Sequence, residues 1–220
     1  MDETVVTHGQ ARRIYDLIGR GQDTRPLSER RALDELARRC VFETASAVLE
    51  FGCGTGRYAA ELFSTRLSSE CRYVGVDVSP KMVGLAREKL TPWAARARVQ
   101  LTDGSPRLSE PDGSCDRFFS TYVLDLLSGE DTAALLAEAH RVLRPGGLLG
   151  LVGLTCGASP SARAVTAAWR RLWAIRPWLL GGCRPIEITS LLSSAEWTLR
   201  DQMTVGKYLL TSQVVVAERV

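Results

Sequence analysis

The residues with the clearest chemical potential form one short run, Glu50-Phe-Gly52-Cys-Gly54-Thr-Gly56. Glycines at alternate positions let the backbone turn sharply and let a ligand approach it closely. The run follows an apolar segment, Ala47 to Phe51, and opens an amphipathic one. That is the strand–loop–helix setting in which such a loop binds a ligand, and the start of the helix offers N–H groups to an anion. A dinucleotide loop has the pattern G-x-G-x-x-G/A, and its third small residue would fall here on Arg57. The spacing is instead G-x-G-x-G, with Glu50 two residues before the first glycine. A carboxylate so placed repels phosphates and suits a ligand that carries an ammonium group.

Other side chains fit around this loop. Asp77 closes the next apolar run, 21 residues after Gly56, and Asp103-Gly104 closes the one after that. Candidates for moving a proton are His8, His140, Tyr122 and Asp125. His140 falls inside a helix and reads as a surface residue, His8 lies near the N-terminus, and Asp125 reads equally as a surface acid. Metal chemistry is not expected. The six cysteines, at 40, 53, 71, 115, 156 and 183, form no C-x-x-C pair, and there are only two histidines. The cysteines read as reduced, buried small hydrophobes.

The elements that must hold these residues alternate. Apolar runs at 47–51, 72–76, 98–101, 115–120 and 148–154 read as strands, with helices predicted at 56–66, from Ser79-Pro80 to Leu90, and at 131–143. Strand–helix repetition with short connections predicts an α/β fold: a Rossmann-like, doubly wound sheet covered on both faces. Two helices precede it within 8–43, broken by Gly19, Gly21 and Pro26. After the fifth strand come a helix over 160–176 carrying Trp169 and Trp173, a loop over 177–185 and a short helix over 186–195. Strands at 197–204 and 209–217, joined at Gly206-Lys207, must pair antiparallel.

Composition narrows the function. With 220 residues, 45% apolar and 24% charged, the chain is expected to form one soluble domain rather than a disordered or polytopic membrane protein. A net charge of +3 gives no concentrated basic stripe for nucleic acid. Met-Asp-Glu-Thr at the start carries no apolar run of a secretory signal, so a cytoplasmic location is expected.

The run from Glu50 to Gly56 resembles the first motif of the class I S-adenosylmethionine-dependent methyltransferases, (Asp/Glu)-x-Gly-x-Gly-x-Gly. The resemblance extends over residues 45–155. It includes Leu143-Arg144-Pro-Gly-Gly147, similar to the family's "L-(R/K)-P-G-G" turn. It implies a seven-stranded, mostly parallel sheet whose last strand runs antiparallel between its neighbours, with S-adenosylmethionine as cofactor. In this resemblance Glu50, Gly52, Cys53, Gly54 and Gly56 form the cofactor loop, and Asp77 accepts the ribose hydroxyls. Val78 and Met82 flank the adenine, Asp103 with Gly104 receives its amino group, and Ser120 to Tyr122 line the sulfonium and substrate. Met82 reads equally as core, and Asp77 and Asp103 also read as a cap and a turn.

The branch most resembled is that of the small-molecule enzymes of ubiquinone and menaquinone biosynthesis. Tyr15-Asp16 resembles the "Y-D" by which that branch brings a tyrosine to the methionine carboxylate. The implied organisation is a helical cap at 1–44, a cofactor-binding domain at 45–220 and a substrate cap at 160–185, where Arg176 or Arg184 would meet an acidic group of the acceptor. Enzymes that methylate nucleobases carry (Asn/Asp)-Pro-Pro-(Tyr/Phe) or Pro-Cys, and this chain has neither. The expected reaction is in-line methyl transfer to a small, apolar or lipid-like acceptor. The chain would act as a monomer or homodimer, and its Trp/Arg segment suits peripheral membrane contact. The alternatives are a nicotinamide-dependent oxidoreductase and a non-catalytic, cofactor-binding partner subunit.

Overall fold

The computed structural model describes residues 7–19, 27–155, 184–206 and 211–220. The helix expected over 160–176, Cys156, Cys183 and Lys207 lie outside the described residues, as does the substrate cap apart from Arg184 and Pro185.

Among the described residues, five α-helices and seven strands follow in chain order: α1 (His8–Ile18), α2 (Leu27–Arg39), β1 (Ala47–Phe51), α3 (Arg57–Thr65), β2 (Arg72–Asp77), α4 (Pro80–Lys89), β3 (Ala97–Leu101), β4 (Cys115–Thr121), α5 (Gly129–Val142), β5 (Leu143–Thr155), β6 (Trp197–Val205) and β7 (Thr211–Arg219). The strands form one sheet in the order β3-β2-β1-β4-β5-β7-β6. β1 to β5 pair parallel, and β7 runs antiparallel between β5 and β6. The expected α/β sheet and its antiparallel last strand are both present.

Side chains alternate across a strand, and here both faces are covered. Val48, Phe119, Val152 and Val214 enter one core with Leu36, Phe42, Tyr58 and Phe63. Their neighbours Leu49, Phe118, Leu151 and Val215 enter a second core with Leu135 and Leu136 of α5. This is why the strands read as continuous apolar runs rather than as alternating ones.

Local signals set the helix starts. Thr7 and Gln10 form a reciprocal capping box for α1. The Ser79 hydroxyl accepts the Met82 N–H, with Pro80 at the first position of α4. Two elements depart from the sequence reading. The helix expected over 186–195 is only a 3₁₀ turn, Ile188–Leu191. The N–H of Ile186 is taken by the Leu154 carbonyl at 2.8 Å, and that of Ile188 by the Gln213 side chain at 2.7 Å, so tertiary partners replace helical ones. The fifth strand starts at Leu143, and regular pairing with β4 resumes at Leu148 after an irregularity. In that turn a Cβ on Gly147 would lie 2.8 Å from the Arg144 carbonyl oxygen, so the residue must be glycine.

Of the two N-terminal helices expected to cap the site, α1 lines the cleft and α2 does not. α2 buries Ala32, Leu33, Leu36 and Ala37 in the core. Gly150 of β5 receives it, since a Cβ there would meet Cys40 Sγ at 2.6 Å and Leu36 Cδ1 at 2.8 Å. Arg117 of β4 fastens the end of α2. Its guanidinium donates to the carbonyls of Cys40, Val41 and Asp116 and to the Thr44 hydroxyl. Arg117→Ala should therefore lower stability by about 3 kcal/mol, read from chemical denaturation, because it orphans buried carbonyls and leaves Asp116 short of a cation.

Cys40, Cys53, Cys71 and Cys115 are free and buried. Burial pushes the thiols of Cys40 and Cys115 up to about 12 and that of Cys71 to about 11. These four should stay unlabelled by a thiol reagent at neutral pH until the protein is unfolded.

Candidate active site

A parallel sheet aligns the C-terminal ends of its strands, and a crevice opens where the chain winds in opposite directions from a central strand. Here that strand is β1, with β2 on one side and β4 on the other. A cleft lies there. Thr102 and Gly104 line it after β3, Asp77 and Val78 at β2, and Phe51, Gly52 and Gly54 at β1. Thr121, Tyr122 and Val123 follow from β4, with Leu126 and Leu127 beyond.

The loop after β1 is built from its own hydrogen bonds. Gly52, Gly54 and Gly56 all have positive φ, at 80°, 51° and 71°. The N–H groups of Gly52 and Cys53 both donate to the Val76 carbonyl, at 2.8 and 3.0 Å, and that of Gly56 donates to Cys53. The Gly54 N–H donates to Asp77 Oδ2 at 2.8 Å. Four loop amides are therefore satisfied inside the protein. A phosphate cradle needs such groups free, so this loop shapes a surface for a ligand rather than gripping an anion. A Cβ on Gly52 would strike Val123 at 2.3 Å, and one on Gly56 would press on the Ca backbone of Ala86 in α4 at 3.0 Å.

Asp77 is the carboxylate at the centre of the cleft. Its second oxygen accepts the Ser79 N–H at 2.9 Å. An ionised carboxylate has about four acceptor sites, so two backbone bonds leave capacity for a ligand. Burial raises its pKa above the ordinary carboxylate value, opposed by the Ser79 and Gly54 N–H groups.

Glu50 lies beneath the loop. It is 2% exposed, does not line the cleft, and accepts the Tyr73 hydroxyl at 2.5 Å. Its charge reaches the loop nonetheless: burial, then Asp77 and then Glu50, push the Cys53 thiol well above its ordinary pKa.

Helix α1 covers the cleft. His8, Ala11 and Tyr15 line it from one helical face. His8 packs on Gly104, where a Cβ would sit 2.7 Å from its own Cβ, and His8 Nε2 lies 3.2 Å from Asp131 Oδ2. Asp131 is in the first turn of α5 and also accepts the Ser128 hydroxyl. At the other end, the Ser79 hydroxyl donates to Asp16 at 2.5 Å.

Of the residues expected from the sequence, His8, Tyr15, Gly52, Gly54, Asp77, Val78, Gly104 and Tyr122 meet at the cleft. Others lie elsewhere. Asp103 is exposed and accepts the Ser105 N–H, so it forms a turn while Thr102 and Gly104 line the cleft. Met82 is fully buried on α4 and belongs to the core. Ser120 is buried and donates to the Phe51 carbonyl at 2.8 Å, tying β4 to β1. Cys53 is core, and Gly56 serves helix packing.

Asp125, read as near the mouth or on the surface, is fully buried in the 3₁₀ turn Leu124–Leu126. Arg184 does not line the cleft; its guanidinium donates to the Leu127 carbonyl and its N–H to that of Asp125. It thus steadies the turn that carries Leu126 and Leu127. His140 on α5 stacks edge-on against Trp197. Phe51, Thr102, Val123, Leu126 and Leu127 were not singled out in the sequence. Their signal is position alone, at a strand end or in the turn that follows one. Ala11 was recoverable from its helical spacing between His8 and Tyr15.

Tyr122 has φ of 58°, rare for a residue other than glycine. Its N–H donates to the Val152 carbonyl and its hydroxyl pairs with that of Ser212, and these bonds hold the strained backbone at the cleft. Among the described residues no group of His, Cys, Asp and Glu could hold a metal ion, and no helix is long and apolar enough to cross a membrane.

Comparison with known proteins bears on this cleft. Residues 48–147, which span β1 to the start of β5, match a family of methyltransferase domains. The chain is 28% identical over 161 residues to the malonyl-[acyl-carrier protein] O-methyltransferase of Marinomonas sp. (strain MWYL1), covering 73% of this chain and 56% of the relative. It is 32% identical over 167 residues to the trans-aconitate 2-methyltransferase of Azoarcus sp. (strain BH72), covering 76% and 59%. The chain thus spans about half the length of the curated relatives it matches. Two solved structures share the fold end to end. The [4+2]-cyclase SpnF has a TM-score of 0.75 at 17% identity, covering 100% of this chain and 99% of that one. The N-methyltransferase NodS from Bradyrhizobium japonicum WM9, in complex with S-adenosyl-L-homocysteine, has a TM-score of 0.70 at 18% identity, covering 97% and 98%. The domain match falls on the strands and loops that build the cleft, and in sequence and fold the chain is similar to class I S-adenosylmethionine-dependent methyltransferases.

Proposed function

We propose that this chain transfers a methyl group from S-adenosylmethionine to a small acceptor in the cleft under α1. The observation that carries the reading is the pairing of Asp77 with a glycine loop whose amides are already satisfied. Such a site has acceptors for hydroxyl and ammonium groups but few donors for phosphate, which fits a nucleoside sulfonium and disfavours a dinucleotide. Asp77 would take the ribose hydroxyls, Val78, Thr102 and Gly104 would border the adenine, and Gly52 with Tyr15 would border the amino-acid end.

The donor, when bound, supplies a methyl group on an already activated leaving group. The chain's own part is then to orient the partners and exclude water. Helix α1 does the second by covering the cleft. Tyr122 and Val123, from the end of β4, would direct the acceptor. His8, oriented by Asp131, is placed to accept a proton where the acceptor must lose one; Asp125 is too deeply placed for that task.

Two of the curated relatives are named for malonyl-[acyl-carrier protein] and trans-aconitate. The lining here is mostly apolar, with Phe51, Val123, Leu126 and Leu127, and supports an apolar or lipid-like acceptor. The four buried unpaired thiols suit the reducing cytoplasm.

Calorimetry with S-adenosylhomocysteine tests the donor site. Asp77→Ala should weaken binding about 30-fold, the loss expected for a charge-assisted hydrogen-bond acceptor; unchanged affinity would overturn the ribose assignment. Gly52→Ala should bind no ligand, because its positive φ and the Val123 contact leave no room for a Cβ. A carboxyl with a raised pKa protonates early on acidification. Affinity in the wild type should therefore begin to fall above the pH at which an ordinary aspartate titrates. Turnover is read with labelled methyl donor against phenols, quinones, amines and phospholipid headgroups. Release of S-adenosylhomocysteine with any of them separates an enzyme from a non-catalytic partner subunit.

A further inference from the structure

The mechanism makes no use of a buried tyrosine just outside the cleft. Tyr73 of β2 is 1% exposed, and its hydroxyl donates to Glu50 Oε2 at 2.5 Å. The parallel register explains how it reaches. Val48 pairs with Tyr73 and Glu50 with Gly75, so the Tyr73 ring must run forward along the sheet, over Gly75, to meet the carboxylate. Gly75 makes this possible, since a Cβ there would sit 2.6 Å from the Tyr73 hydroxyl and 3.0 Å from Cys53 Cβ. Phe63 packs edge-on against the ring and stacks in turn on Trp93. Burial and the neighbouring carboxylate raise the phenol's pKa well above its ordinary value, so it stays protonated and donates. Nothing about core packing requires an oxygen at this position. A phenylalanine would fill the same volume, and a buried carboxylate is costly to keep without a hydrogen-bond partner.

We propose that Tyr73 is a positioning residue for the donor's ammonium group: it holds the Glu50 carboxylate beneath the Gly52–Gly56 loop, where its charge acts on the amino-acid end of the bound nucleoside. The inference rests on the donor-site reading above. Asp77 bounds the loop from the β2 side through the Gly54 N–H, and Glu50 lies below it. The loop therefore has two carboxylates close to it, Asp77 bonded to the Gly54 N–H and Glu50 near enough to raise the pKa of the Cys53 thiol. Tyr73 touches no ligand and acts only through Glu50.

The experiment compares S-adenosylhomocysteine with its deamino analogue, which lacks only the ammonium group, by calorimetry on the full chain. Tyr73→Phe should weaken S-adenosylhomocysteine about tenfold, as for a lost hydrogen bond to a charged group, and leave the analogue within about twofold. The Glu50→Gln variant should show the same selective loss. In the double variant, Tyr73→Phe should add nothing to Glu50→Gln, because the two side chains act as one unit. Equal loss for both ligands would show a structural role only and overturn the proposal. So would additive losses in the double variant, or wild-type affinity in Tyr73→Phe. Should the wild-type chain bind neither ligand, the donor-site reading itself falls, which is a distinct result. A Tyr73→Phe chain that fails to fold is recognised by its melting curve. In that event Gly75→Ala, which presses on the hydroxyl end of Tyr73 from the sheet, must give the same selective loss, or the proposal fails.

Discussion

The carboxylate of Asp77 accepts the N–H groups of Gly54 and Ser79, and through them it joins three pieces of chain. One is the glycine loop after β1, another the end of β2, and the third the first turn of α4. Removing the bond to Gly54 would loosen the part of the glycine loop that the Val76 carbonyl does not hold. Asp77 thus helps set the geometry of the cleft floor, and the same acid lines the cleft. This economy has an electrostatic consequence. Burial opposes the charge that the two backbone donors favour, and burial prevails, so the site holds its carboxylate less firmly ionised than a surface aspartate would be.

From Asp77 the organisation spreads through Ser79. Its N–H goes to Asp77, while its hydroxyl caps α4 and reaches Asp16 on α1. The covering helix is therefore linked to the residue that positions the loop, by a path of two hydrogen bonds. Its other end rests on Gly104 and Asp131. α1 bridges the starts of α4 and α5 across the mouth of the cleft, and its contacts there are mainly polar and partly exposed. Exposed polar contacts of this kind contribute little each. A covering element held by them can open at small cost, as a site that must admit a ligand and release a product requires.

Much of this was legible in the sequence, for identifiable reasons. The strand runs, the Ser79-Pro80 helix start and the glycine loop are local signals, and each appears where its residues place it. Asp77 and Gly52 were legible because a motif and a strand end coincide. Residues whose role depends on direction were not. Asp103 and Ser120 sit at the right strand ends, yet a turn turns one outward and a carbonyl claims the other. Met82 shares a helix start with Val78's turn but points into the core. Sequence spacing gives position along an element, while side-chain direction is decided by neighbours from distant segments. The truncated helix after Pro185 has the same cause, since Gln213 and Leu154 claim its backbone donors.

The likeness to both a cyclase and an N-methyltransferase shows why the fold alone does not name a reaction. What the sheet supplies is a place: strand ends in register, a loop that can be approached, and a helix that covers it. Chemistry enters with the charges around that place. Here the groups under and beside the loop are Glu50 and Asp77, both acids, and the loop amides that could answer a phosphate are directed inward. A ligand that brings cations and hydroxyls meets complementary partners in this arrangement, whereas one that brings phosphates meets two carboxylates and few donors. The discrimination is therefore made by the floor of the cleft. Beside that floor lies a separate surface, the strained Tyr122 and the apolar turn that Arg184 secures. The two surfaces thus lie on different segments of the chain, so one can vary while the other stays fixed.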